Sequence, residues 1–351
     1  MAVKQHQLVS LFKKFIQDTL TGKRVKPDGK KIKAQTVKNY TYVLNLLIAY
    51  ETATSNKIII ETNTGKNIKL LTKERNYWKK FYKNFTQFLY TKKCHDNYAG
   101  AVIKVLRTFF IYLKKDRLLA INDFYKHFYV TREEMEIITL MPEQLNFLIN
   151  NKEFDEQLSA PLKATKQLFV FGCTVALRAS DLFSIRFTDI HYVNGAAYLA
   201  VKSQKTDTPT KVKLPVYCVD IVEGLQAKAR KRKTVFVPIS LARFNNNSKQ
   251  IAEKANWVQP VTKHRSMRGK NVEQLKADKT EFRFCDMVSS HIMRRTAITT
   301  MLMLGMPEHI VKKISGHAAN SKAFYRYVNF VQSYLDNETD KVYNKLGSIA
   351  G

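Results

Sequence analysis

Acidic side chains are scarce in this sequence. Only 29 Asp and Glu stand against 59 Lys and Arg, which leaves a formal net charge of +30 over 351 residues. A chain this positive repels itself and attracts polyanions. Each phosphate neutralised by lysine or arginine releases counterions, so nucleic acid is the expected partner, ahead of an anionic membrane surface. Cysteine is scarce too. Cys94, Cys173, Cys218 and Cys285 are far apart and form no CxxC pair, which argues against a zinc site or a disulfide framework and suits buried thiols in a reducing cytoplasm. The sequence has no apolar run long enough to span a bilayer and no secretory signal at its start. It has no Walker motif, and no DxD or HExxH cluster among the patterns described below. The expectation is therefore a cytoplasmic protein with no membrane partner.

The sequence does have enough apolar residues for real cores, 45% of the total, and a length that suits two domains. The first part reads as helical. Val37, Tyr40, Leu44, Leu47 and Ile48 form one stripe at helical spacing, and Tyr98, Val102, Val105, Phe109 and Leu113 form another. The segment from Trp78 to Tyr90 is aromatic and basic, with Phe81, Phe85 and Phe88 at the same spacing. Lys57 to Leu71 fits a hairpin or a loop equally. Lys23 to Lys33 reads as an exposed basic loop within reach of phosphates. A polar stretch with Arg132, Glu133, Glu134 and Glu136 precedes Met141-Pro142-Glu143-Gln144, a helix start with proline in its first turn. This divides the chain into residues 1–130, a linker at 131–142, and residues 143–351. In the second part Lys166 to Ile185 reads as helix, and Ala196 to Ser203 and Lys211 to Leu214 as two short strands. Helices resume at Ser290, with breaks near Gly305 and Gly316. Between Val235 and Ser289 the chain is polar and basic, either a DNA-facing surface or a solvated loop.

Four local patterns carry chemistry. Arg178 lies in Ala176-Leu177-Arg178-Ala179-Ser180-Asp181-Leu182, and Asp181, one helical turn on, is in position to orient its guanidinium. By itself this is also what a surface ion pair looks like. Lys205, beside the predicted turn at Thr206-Asp207-Thr208-Pro209, is either a groove-reaching or an ordinary solvated lysine. His291-Ile292-Met293-Arg294-Arg295 puts His291 and Arg294 on one helix face, near a helix start that favours anions; a capped helix with a basic first turn would have the same sequence. Ser315-Gly316-His317 places a histidine just after a glycine turn, and Ala323-Phe324-Tyr325-Arg326-Tyr327-Val328 follows about ten residues later. Alone, that pair also reads as a loop histidine and a core tyrosine.

In this order the four patterns resemble the tyrosine recombinase, or phage integrase, family. That family has an arginine in an "LRxxEL"-like box, a lysine on a β-hairpin, an "HxxR" box, a "GH" step and a tyrosine nucleophile. The matching residues here are Arg178, Lys205, His291, Arg294, His317 and Tyr327. The resemblance covers the sequence from about Leu140 onward, and the helical first part is similar to the family's core-binding domain. Phe324-Tyr325-Arg326-Tyr327-Val328 resembles family endings of the type "F-x-[RK]-Y-[IV]", which selects Tyr327. By spacing from His317, Tyr327 lies one residue beyond the commonest family distance and Tyr325 one short of it, so Tyr325 is the alternative nucleophile. Arg295 stands where many relatives have His or Lys.

The resemblance implies a mainly α fold with a small antiparallel β-sheet, in which a core-binding and a catalytic domain form a C-shaped clamp on double-stranded DNA. It implies strand transfer through a 3′-phosphotyrosyl link that needs no metal, ATP or other cofactor and no small-molecule substrate. Arg178, Arg294 and His317 would hold the phosphate, and His291 would act as base. Lys205 would protonate the leaving 5′ oxygen, and Asp181 would support Arg178. It also implies a bacterial mobile-element enzyme, working as a homotetramer on two DNA sites and nucleoid-associated when acting. The extra N-terminal arm-binding domain of many relatives is expected to be absent. The stretch from Phe330 to Leu346 is an amphipathic helix that would dock either on a neighbouring subunit or on its own domain. A type IB topoisomerase-like enzyme and a catalytically inactive DNA-binding relative are the competing readings.

Overall fold

The computed structural model describes residues 4–62, 68–204 and 207–349. The chain divides into two compact units, Met1–Met135 with Lys263–Gln274, and Glu136–Thr262 with Leu275–Gly351. Among the described residues no helix is long and apolar enough to cross a membrane. All four cysteines are free thiols, three of them buried.

The first unit runs β1 (Lys4–Gln7), α1 (Leu8–Leu20), α2 (Ala34–Thr54), β2 (Ile59–Thr62), α3 (Ile68–Thr91) and α4 (Asp96–Lys115). The two predicted apolar stripes and the aromatic segment lie on α2, α4 and α3. They bury Leu47, Phe109 and Phe85 completely, because apolar residues three and four apart share one helix face. The core of this unit is aromatic. Trp78 stacks on Phe124 with ring centroids 4.5 Å apart, and meets Phe81 and Phe110 edge to face. Within residues 57–71, Ile59–Thr62 form a strand that is not half of a local hairpin, since β2 pairs antiparallel with β1, Lys4 facing Thr62, while Ile68–Leu71 open α3. Residues 63–67, also within that stretch, lie outside the described residues. The basic loop from Lys23 to Lys33 closes as a small turn, with a bridge between Val25 and Lys31. Its base is held by Arg24, whose guanidinium lies 4.7 Å from the centre of the Phe15 ring.

The second unit begins with α5 (Pro142–Asn150), α6 (Lys152–Glu156), α7 (Ala160–Val175) and α8 (Ala179–Leu182). It continues through β3 (Ile190–Val193), β4 (Ala196–Lys202), β5 (Pro209–Lys213), α9 (Val216–Ala227), α10 (Leu241–Lys254) and β6 (Pro260–Val261). After the hairpin β7 (His264–Met267) and β8 (Lys270–Glu273) come β9 (Phe282–Arg283), α11 (Phe284–Met287), α12 (Ser290–Met303), α13 (Glu308–Ser315) and α14 (Lys322–Ile349). Strands β3, β4 and β5 form an antiparallel sheet in that order. Helices α7 and α12 cross at Gly172. A side chain there would lie 2.5 Å from the Met293 sulfur and 2.8 Å from Leu182, so glycine permits the close approach. Thr139 and Thr296 hydroxyls bond at 3.0 Å, and the Leu140 amide also donates to Thr296. These bonds pin the start of the unit to α12.

Two expectations need correction. The helix expected from Lys166 to Ile185 stops at Val175, where Ala176 takes a left-handed φ of 55°. The chain restarts as the single turn α8, so Arg178 stands at a helix entry and not within a helix. The polar stretch between Val235 and Ser289 is not one surface or loop. It contains α10, which buries Phe244 and Ile251 in the main core of the second unit.

The hairpin β7–β8 belongs to the first unit although it follows residue 262. The Asp96 carboxylate, at the start of α4, accepts the Ser266 hydroxyl at 2.5 Å. It also accepts the amides of Arg268 and Gly269, at 2.9 and 2.8 Å, and the Tyr90 hydroxyl at 2.7 Å. These four donors hold the Asp96 pKa below the ordinary carboxylate value, against burial, which pushes it up. Glu133 accepts the Ser266 amide at 2.7 Å.

Candidate active site

Three short segments of the second unit converge. The first is the break between α7 and α8, which carries Arg178. A left-handed alanine costs roughly 1–2 kcal/mol, and here Ala176 is fully buried. Its carbonyl accepts the Arg294 Nη1 at 2.8 Å. The strained turn thus directs one backbone oxygen at one guanidinium while Arg178 leaves the turn two residues later. Arg178 Nη1 donates to the Ser203 hydroxyl at 3.2 Å, and Ser203 Oγ donates to Asp181 Oδ2 at 3.1 Å. The other Asp181 oxygen accepts the Gln204 amide at 3.0 Å. Asp181, buried within α8, therefore ties Arg178 to the end of β4.

The second segment is the first two turns of α12. Arg294 is half-buried on the helix face toward α13. Its Nη2 donates to the Ser315 carbonyl at 2.6 Å and lies 3.4 Å from His317 Nδ1. Burial, with Arg178 beside it, lowers its pKa to about 10, and the nearby Tyr327 and Asp181 oppose that shift. The group is still a cation at neutral pH. His291, one turn earlier, is exposed. The Ser290 amide is occupied by the Asn245 side chain at 2.9 Å.

The third segment runs from the end of α13 into α14. Gly316, at φ 62°, ends α13 in the left-handed conformation that glycine adopts without strain. The His317 amide then turns back to the Lys312 carbonyl. Burial, together with Arg294, Arg178 and Lys312, holds the His317 imidazole down to a pKa of about 4. A small core of Ala176, Ala297, Ile298, Val311 and Phe324 lies beneath, with Tyr327 packed against it. The Tyr327 ring sits 6.1 Å from the His317 ring, edge to face. Tyr325 is 49% exposed, and its ring lies under the Lys312 ammonium at 4.7 Å.

Of the residues singled out in the sequence, Arg178, Asp181, Arg294, His317 and Tyr327 are thus brought together, and His291 lies one turn from Arg294 at the exposed helix start. Lys205 lies outside the described residues. Sequence reasoning missed Ser203, Ser315 and the Ala176 carbonyl. Neither serine stands out by type or spacing, and a backbone oxygen has no sequence signal. The grouping offers two guanidinium cations, an imidazole and a phenol around one surface. That set suits an oxyanion flanked by a nucleophile.

The phage integrase family pattern matches residues 139–332. Among solved structures, the XerH site-specific recombinase bound to palindromic difH substrate, a post-cleavage complex, is similar over 91% of this chain and 80% of that chain, with TM-score 0.59 and 13% identity. A lambda integrase dimer bound to a COC′ core site is similar over 92% and 77%, with TM-score 0.59 and 12% identity. The Tn1549 transposon integrase in complex with transposon right end DNA is similar over 93% and 94%, with TM-score 0.57 and 13% identity. At such identities the likeness is one of fold, mainly helical with small antiparallel sheets. None of the curated proteins matches the chain. The family pattern spans more than half of the sequence and contains every residue that the site brings together, from Arg178 to Tyr327; the chain belongs to the phage integrase family, the tyrosine recombinases.

Proposed function

We propose that this protein is a site-specific DNA recombinase that cuts and rejoins strands through a 3′-phosphotyrosyl intermediate, with Tyr327 as nucleophile. The observation that carries the reading is the meeting of Arg294, His317 and Tyr327 beside Arg178. Arg294 touches the Ser315 carbonyl and lies 3.4 Å from His317, whose ring faces Tyr327. The exposure of Tyr325 under Lys312 supports the choice of Tyr327.

In this reading the Tyr327 oxygen attacks the scissile phosphorus and the bond to the 5′ oxygen breaks. Arg178 and Arg294 bind the non-bridging oxygens, where negative charge builds, and His317 adds a hydrogen bond to them. His291 takes the phenolic proton. Lys205 protonates the departing 5′ oxygen. A free 5′ hydroxyl from a partner strand then attacks the phosphotyrosine and restores a phosphodiester. One covalent bond replaces another of similar energy, so no nucleotide is consumed, and the two arginines carry the charge that a metal ion would otherwise supply. Double-stranded DNA is the substrate. The excess of 30 positive charges supplies phosphate contacts that position the duplex without reading it. A homotetramer on two DNA sites is the working assembly; a similar structure is a lambda integrase tetramer bound to a Holliday junction.

The test is a suicide duplex nicked beside the cleavage site, which traps the covalent species. The wild type and Tyr325→Phe should form an adduct that survives denaturation, with the modified peptide containing Tyr327. Tyr327→Phe should form none. An adduct from Tyr327→Phe would move the nucleophile elsewhere. No adduct from the wild type on any duplex it binds would leave a DNA-binding protein only.

A further inference from the structure

Ser315 is 2% exposed, and besides a long 3.4 Å contact from its hydroxyl to the Lys312 carbonyl it makes three closer contacts within the site. Its carbonyl accepts Arg294 Nη2 at 2.6 Å, its hydroxyl lies 2.6 Å from the Val311 carbonyl, and the same hydroxyl lies 2.8 Å from His317 Nδ1. A hydroxyl has one proton to donate. A carbonyl oxygen can only accept, so the short contact to Val311 takes that proton. The contact to Nδ1 must then run the other way, from Nδ1–H to the Ser315 oxygen. Arg294 Nη2 has two protons and gives one to the Ser315 carbonyl; at 3.4 Å the other is too far for a strong bond to a ring lone pair, and the 2.8 Å contact to the Ser315 oxygen decides the tautomer.

We propose that Ser315 is a positioning residue that fixes His317 as its Nδ1–H tautomer, so that Nε2 is a bare acceptor until DNA arrives and is protonated when the phosphate binds. This rests on the recombinase reading above and deepens it. In the free protein His317 has no Nε2 proton to give to a phosphate oxygen. The groups facing the imidazole are Arg294 on α12, Arg178 ahead of α8, Lys312 on α13 and Tyr327 on α14. The three cations resist a second proton on the ring. A bound phosphodiester offsets their charge, and Nε2 then takes a proton from solvent and donates it to the phosphate. Ser315 holds the ring orientation through both states, since Nδ1–H donates in each. Its carbonyl meanwhile holds Arg294, so one buried residue sets two phosphate-binding side chains.

The tautomer is read directly by nitrogen NMR on histidine-labelled protein, with His317→Gln to assign the resonance. Free wild type should show a protonated Nδ1 and a bare Nε2. With nicked duplex bound, both nitrogens should be protonated, and calorimetry in two buffers of different ionisation enthalpy should register proton uptake. Ser315→Ala should lose the fixed tautomer and slow adduct formation about 30-fold, the scale of one lost positioning hydrogen bond, with little change in DNA affinity. Ser315→Thr, which keeps the hydroxyl, should recover most of the rate. A protonated Nε2 in the free wild type would overturn the proposal. So would a Ser315→Ala variant with unchanged His317 resonances and unchanged rate. Failure of the recombinase reading looks different: wild type gives no adduct, whereas the tautomer of the free protein can still be measured.

Discussion

Arg178 and Asp181 are joined through the hydroxyl of Ser203, which receives a hydrogen bond from the guanidinium at 3.2 Å and donates one to the carboxylate at 3.1 Å. Three residues of separation suggest a direct pair, but the chain enters α8 at Arg178, and the end of β4 inserts its serine between them. The orientation of the arginine thus depends on the sheet as well as on its own helix.

Removing the Ser203 hydroxyl should therefore loosen Arg178 without removing its charge. For Ser203→Ala, a hydrogen bond to a charged group is worth about 1.5–3 kcal/mol, so adduct formation in a single turnover should slow roughly 10- to 100-fold. Duplex affinity should barely change, because most contacts are to other phosphates. An unchanged cleavage rate would show that Arg178 holds its place without the relay.

His317 makes folding stability depend on pH. Its folded pKa of about 4 lies below the ordinary 6.5, so the unfolded chain takes the proton first. The contribution to stability is complete above 6.5 and drains away as pH falls from 6.5 toward 4. Urea unfolding at pH 7 and at pH 5 should show a larger loss for wild type than for His317→Gln, which has no proton to bind. Equal losses would mean the ring titrates normally in the folded protein.

Asp96 should be the most sensitive residue of the first unit outside its apolar core. Asp96→Ala would leave the Tyr90 and Ser266 hydroxyls and the Arg268 and Gly269 amides without their acceptor. A buried donor left unpaired costs about 1–3 kcal/mol; the Tyr90 hydroxyl is buried, whereas the exposed Arg268 and Gly269 amides will find water, so a net loss of roughly 2 kcal/mol is expected in denaturant unfolding. Protease should cut the freed hairpin between Met267 and Lys270 well before the rest of the unit. Resistance at that turn in the variant would show that the hairpin is held by something else.

How much of this was legible beforehand depends on how local each cause is. The stripes that became α2 and α4 are periodic, and periodicity is a local property. The site residues stand in a recognisable order, so Arg178, Arg294, His317 and Tyr327 could be picked out before any coordinates. The break at Ala176 could not. Alanine is a strong helix former, and its left-handed conformation is imposed by packing under α12, not by propensity. The pairing of Lys4 with Thr62 and the capture of Ser266 by Asp96 join residues too far apart for any window to connect. Ser315 looks like any serine at a helix end until its oxygen is found between Val311 and His317.

The hairpin held by Asp96 has a consequence for how the molecule is made. Backbone passes from one unit to the other after residue 135, after 262 and again after 274, so neither unit is a single uninterrupted stretch of polypeptide. As the chain emerges from the ribosome, α4 appears with its carboxylate in place, but the strands that carry its donors arrive some 170 residues later. The first unit cannot finish folding until residues 136–262, about three-fifths of the second, have been synthesised, and a gene truncated before residue 263 would yield a first unit whose Asp96 lacks three of its four donors.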